Sequence, residues 1–156
     1  MNVQFFNLSV NDKQIKDELL KSVENVLDHG RIILGPEVEK FEKIIAKMTG
    51  VNFAIGVSSG SSALYLGLKS LNIKPGDEVI TTPHSWVLTG NAILETGAVP
   101  VFTDVLEDGN MDPKKIESAI TKNTKAILPV HFTGLMCRMD EICEISLTAT
   151  TDQFFC

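Results

Sequence analysis

The sequence predicts an α/β fold, a three-layer α/β/α arrangement in which helices cover both faces of a mostly parallel sheet. Two observations carry this. From residue 53 onward, short apolar runs of strand type alternate with segments of helical periodicity, and the changes of type fall on Gly, Pro or a capping side chain. No internal repeat and no Pro/Gly/Ser-rich linker divides the 156 residues, whose 44% hydrophobic and 22% charged composition suits one globular domain with its own core.

Each element has a local reason. Ile15, Leu19, Leu20, Val23, Val26 and Leu27 recur at helical spacing and predict a helix over residues 11–28, ended by Gly30. Pro36 at a first-turn position, Glu37 behind it, and then Val38, Phe41, Ile44, Ile45 and Met48 predict a second helix that stops at Gly50. "FAIGV" at 53–57 has the β-branched bias of a buried strand, and the serine-glycine turn after it opens a helix through Leu71. "KPGDEVITT" supplies a turn and a strand, residues 85–95 a helix closed by Gly97, and "VPVFTDV" a strand over 99–105. Asp112 as cap and Pro113 at the first helical position open a helix through Ile120. "KAILPV" at 125–130 is one more strand, and "MDEICEIS" starts a last helix.

Charge and cysteine usage narrow the function classes. The formal net charge is −6 with scattered basic residues, so neither nucleic acid nor an anionic membrane surface is an expected partner. The N-terminus lacks the basic and apolar regions of a secretory signal, and no run reaches the roughly 18 apolar residues of a membrane span. A cytoplasmic location is expected. Cys137, Cys143 and Cys156 match neither a zinc site nor a redox CxxC pair; they read as free thiols, with no metal site expected.

The most informative stretch is "SSGSSALYLGLKSL" at 58–71. A turn that leaves a strand and enters a helix lies at the carboxyl edge of the sheet, where ligands collect. The first amides of such a helix lack intrahelical partners and sit at its positive dipole end. Gly60 admits close backbone approach, and Ser59, Ser61 and Ser62 add hydroxyl donors, so a phosphate could be held there without a lysine. The plain alternative is that one serine merely caps the helix. Trp86 and His131 also follow strands and so belong to the same edge. Each has a structural alternative: core filling for the indole, a satisfied structural histidine for His131. His84 reads as a loop residue without a role, and Asn91 and Glu95 as structural.

Taken together, "GPEVEKFEK", the segment 55–105, "MDPKKIESAITKNTKAILPVHFTG" and "MDEI" closely resemble the N-terminal part of the DegT/DnrJ/EryC1/StrS family of sugar aminotransferases. The resemblance runs from about Leu8 to about Ile145 with the family's spacing. It implies the N-terminal portion of the large domain of type I enzymes dependent on pyridoxal 5′-phosphate. By that resemblance Gly60, Ser61 and Ser62 grip the cofactor phosphate, Trp86 stacks on its ring, and His131, in a "HLYG"-like loop, hydrogen-bonds cofactor or substrate. Phe132 and Thr133 depart conservatively from the commonest family residues.

The same resemblance implies transfer of an amino group from an amino acid such as glutamate to a keto-sugar, usually nucleotide-linked, in a homodimer. It serves cell-surface polysaccharide or secondary-metabolite sugar biosynthesis. Neither the Schiff-base lysine nor the acid that partners the pyridine nitrogen is expected in this chain, because in the family both come later, the acid in an "EDAA"-like strand end. No lysine here is set in a pocket by sequence, and Asp104 matches a family position that is not the nitrogen partner. The expected organisation is therefore an incomplete large domain over 1–146 and an atypical tail over 147–156, where "LTATTDQFFC" replaces family-like sequence. Such a fragment is expected to be inactive by itself. A non-catalytic phosphate- or sugar-nucleotide-binding relative and a non-functional truncated product are the alternatives.

Overall fold

The structure, a computed structural model, describes residues 5–149. It divides into two compact units, Met1–Gly56 and Val57–Cys156. Most of the expected tail over 147–156 lies outside the described residues.

The first unit holds two helices. In α1 (Lys13–His29) the side chain of Asp12 caps the start by accepting the Ile15 N–H at 3.1 Å, and Gly30 closes the end. Helix α2 (Pro36–Thr49) starts with Pro36 in its first turn and ends at Gly50. His29 Nε2 donates to Glu37 Oε1 at 3.1 Å and joins the two helices. The Glu37 carboxyl is held below its ordinary range, first by a backbone N–H at the start of α2 and then by His29. The apolar stripe of α1 is present as expected, but Ile15, Leu19, Leu20, Val23 and Leu27 are all exposed.

One expected element is absent. Residues 53–57 form no strand, and Phe53 and Ile55 stand 83% and 81% exposed. A strand exists only through a ladder with a neighbour, and no described residue supplies one here. The Gly56 N–H is instead taken by Glu42 Oε1 at 2.7 Å.

The second unit is the layered part. Its helices are α3 (Gly60–Ser70), α4 (Val87–Glu95), α5 (Pro113–Ala119) and α6 (Met139–Thr148), and its strands are β1 (Glu78–Thr81), β2 (Val99–Phe102) and β3 (Thr124–Ile127). The strands form one parallel sheet in the order β2-β1-β3. Pro100 is tolerated because β2 lies at the sheet edge, where a missing donor costs least. The strands expected over 99–105 and 125–130 are shorter than their apolar runs, since pairing ends where the loops diverge.

Successive residues of a strand face opposite sides, so Val79 and Ile80, both fully buried, feed two separate cores. Val79 packs with Leu68, Ile73, Ala92, Ile93, Ala98 and Ala126 under α3 and α4. Ile80 packs with Met111, Ile116, Ile127, Cys137 and Ile142 under α5 and α6. The two crossovers, β1-α4-β2 and β2-α5-β3, travel in opposite directions across the sheet, so a single hand places α4 and α5 on opposite faces. This is the expected three-layer α/β/α arrangement. No helix among the described residues is long and apolar enough to cross a membrane.

Candidate functional site

The topology collects the loops of interest at one edge. Each of α4 and α5 follows the carboxyl end of a strand, and α3 ends where the chain turns into β1, so the start of α3 faces the same edge as the start of α4. After β1 the chain leaves toward one face, and after β3 toward the other. Two adjacent strands whose outgoing loops diverge leave a crevice at their carboxyl ends, the usual ligand position in open α/β sheets.

At the start of α3, Ser59 is the cap. Its backbone is extended, its Oγ accepts the Ser62 N–H at 3.1 Å, and its carbonyl accepts the Ala63 N–H at 3.0 Å. Ser62 Oγ lies 2.9 Å from Ser58 Oγ and 3.0 Å from Ser59 Oγ. Capping therefore uses Ser59 and leaves the Gly60 and Ser61 amides without an acceptor among the described residues. A Cβ placed on Gly60 would meet nothing within 4 Å, so the side-chain side of this first residue is uncrowded. The capping reading therefore holds for Ser59, and it uses neither the Gly60 nor the Ser61 amide.

Trp86 precedes α4 as its N-terminal boundary, and its carbonyl accepts the Thr89 N–H at 2.9 Å. Its side chain is not core filling, because the residue is 74% exposed. His131 follows β3 and is exposed; its Nδ1 accepts the Cys137 N–H at 3.2 Å, while Nε2 has no partner among the described residues. No hydrogen bond joins the serine turn, Trp86 and His131 to one another.

Sequence reasoning missed the residues that tie the edge together. The His84 ring lies 3.7 Å from that of Phe132, tilted by 33°, and His84 Nδ1 donates to the Gly109 carbonyl at 3.1 Å. Gly109 has φ +85°, and a Cβ there would come within 2.9 Å of both rings. Asn110 is 1% exposed and fully engaged. Its Oδ1 accepts the Phe132 N–H at 3.0 Å, and its Nδ2 donates to the Leu135 and Met136 carbonyls at 3.3 and 3.4 Å. Cys137 Sγ, 3.1 Å from the Val130 carbonyl, is the buried end of the same loop. The only local signal was a Gly-Asn pair between Asp108 and Met111, which reads as an ordinary turn.

The sequence of residues 13–150 matches the DegT/DnrJ/EryC1/StrS aminotransferase family. This chain belongs to that family. It is 45% identical over 133 residues to the spore coat polysaccharide biosynthesis protein SpsC of Bacillus subtilis, covering 85% of this chain and 34% of SpsC. It is 41% identical over 145 residues to dTDP-3-amino-3,4,6-trideoxy-alpha-D-glucose transaminase of Streptomyces venezuelae, covering 92% of this chain and 38% of that enzyme. In three dimensions it is similar to NtdA of Bacillus subtilis, solved with bound cofactor PMP: TM-score 0.85, 37% identity, 88% of this chain and 32% of NtdA. The fold is thus that of the aminotransferases dependent on pyridoxal phosphate. The chain spans about a third of the length of these DegT/DnrJ/EryC1/StrS relatives.

Proposed function

We propose that this chain is the phosphate-binding portion of a sugar aminotransferase dependent on pyridoxal 5′-phosphate, with a nucleotide-linked keto-sugar as acceptor and an amino acid as donor. The observation that carries the reading is the start of α3: two amides, at Gly60 and Ser61, without an acceptor among the described residues at the positive end of an 11-residue helix. A phosphate monoester dianion fits such a cup, and Ser61 and Ser62 bring hydroxyls to the same turn. Trp86 offers a flat, exposed, rigid face at the start of the neighbouring helix, suited to an aromatic ring carried by that phosphate.

Pyridoxal phosphate, when bound, supplies the electron sink that lets an amino group leave one carbon and join another. This chain's own residues do simpler work. Gly60, Ser61 and Ser62 would hold the phosphate, Trp86 would offer its indole face to the ring, and His131 would present an Nε2–H to an oxygen of cofactor or substrate. By the family resemblance, the lysine that would react with the cofactor belongs to a longer polypeptide such as the relatives represent, beyond the segment matched here. In that protein we expect a homodimer, with residues 1–146 as part of the large domain.

Trp86 is the sole tryptophan, which makes the test direct. Pyridoxal phosphate titrated into the chain is expected to quench Trp86 emission in a saturable way and to shift the amide resonances of Gly60, Ser61 and Ser62. Inorganic phosphate should compete. Unchanged emission and unchanged amides at millimolar cofactor would overturn the reading. Binding with no turnover in any longer form that carries a lysine after β3 would favour a non-catalytic binding module instead.

A further inference from the structure

We infer that the turn Gly109–Asn110 is a positioning device that locks His84 and His131 in opposite neutral tautomers, so that the carboxyl edge offers one acceptor nitrogen and one donor N–H. A carbonyl oxygen only accepts, so the contact of His84 Nδ1 with the Gly109 oxygen, at 3.1 Å, places the proton on Nδ1 and leaves Nε2 as an acceptor. A backbone amide only donates, so the contact of the Cys137 N–H with His131 Nδ1, at 3.2 Å, places that ring's proton on Nε2. Adjacent residues of one turn enforce both outcomes.

Gly109 acts on His84 directly, through its carbonyl and through the absence of a Cβ that would strike both His84 and Phe132 at 2.9 Å. Asn110 acts on His131 through the loop: by binding the Phe132 N–H and the carbonyls of Leu135 and Met136, it folds residues 132–137 back so that the Cys137 amide meets the ring. Thr133 at φ 53° and Gly134 at φ 85° make the reversal tight. Both histidines are exposed, and neither Nε2 has a partner among the described residues. A ligand carrying an oxyanion and a hydroxyl or ammonium group would find a complement for each. The identity of that ligand rests on the function proposed above; the tautomers do not.

The chain has three histidines, so nitrogen-15 correlation of the imidazoles near pH 8, where free histidine is neutral, reads each ring separately. In the unmodified chain His84 Nδ1 should show the protonated, pyrrole-like shift and His131 Nδ1 the pyridine-like shift. Finding both rings in one tautomer, or both averaging freely, overturns the inference whatever any variant does. Asn110→Asp keeps the acceptor for Phe132 but sets an oxygen against the Leu135 and Met136 carbonyls; His131 should become a tautomeric mixture while His84, held by the Gly109 carbonyl, keeps its shifts and reports that the second unit is folded. A folded Asn110→Asp chain with His131 unchanged also overturns it. Cofactor binding is read independently at the Gly60–Ser62 amides, so shifts there with like tautomers sink this inference and spare the cofactor, and the reverse result does the opposite.

Discussion

At the scale of single residues, the site separates into groups whose chemistry is local and groups whose chemistry is made by the fold. The free amides of Gly60 and Ser61 were legible because a helix start needs nothing beyond its own first turn to present them. Gly109 and Asn110 were not, because their partners lie in residues 84 and 132–136, and nothing in "DGNMDP" announces those contacts. Two substitutions test this division. Ser61→Asp puts a carboxylate against the phosphate and should weaken pyridoxal phosphate binding by at least about tenfold, roughly 1.4 kcal/mol, as read from Trp86 quenching, while the melting temperature barely moves. Gly109→Ala should lower stability by about 1–3 kcal/mol in a urea titration, because a side chain is strained at positive φ and strikes two rings.

At the scale of elements, helix starts followed from signals that the sequence displays, Pro36, Asp112 and Pro113, and the structure keeps every one, while Asp12 and Ser59 are caps that the structure identifies. Strands were less legible because a strand is completed by its neighbour. The apolar run 53–57 has strand composition and no ladder, while Glu78–Thr81 pairs on both sides. The two-core sheet predicts that Val79→Ala and Ile80→Ala both destabilise the second unit, Ile80→Ala by about 2–5 kcal/mol, with hydrogen exchange rising first in the layer beneath each truncated side chain. In the first unit, the carboxyl of Glu37 is held below its ordinary value of 4.5 by the α2 start and His29. A lowered folded-state value means stability that is present above pH 4.5 and lost as pH falls through the lower value. Helicity followed by circular dichroism should therefore drop on acidification below that range, and Glu37→Gln should remove this component; an identical acid profile for the variant would refute the assignment.

At the scale of the whole molecule, the composition and alternation that indicated an α/β fold correctly anticipated the layers, and the family comparison accounts for most of the chain, residues 13–150. An uncovered apolar face was expected from the incomplete domain, but its place on α1 was not legible, since periodicity shows that a helix has an apolar stripe and not what covers it. Leu19, Leu20, Val23 and Leu27 on α1, with Ile32, Ile33 and Phe53, form more exposed apolar surface than soluble monomers usually carry. The chain alone should self-associate, with a sedimentation coefficient that rises with concentration and falls when Leu20 and Leu27 are replaced by Gln.

The order β2-β1-β3 also sets a sequence of assembly. Along the chain, Val99 lies less than half as far from Glu78 as Thr124 does, so pairing β1 with β2 closes the shorter loop and carries the smaller entropic penalty. During synthesis the residues of β1 and β2 emerge before those of β3, so the first parallel pair is expected to form before the third strand joins it. Of the three strands the late one then docks on an edge already shaped to receive it, and the crevice beside His131 cannot form before it does.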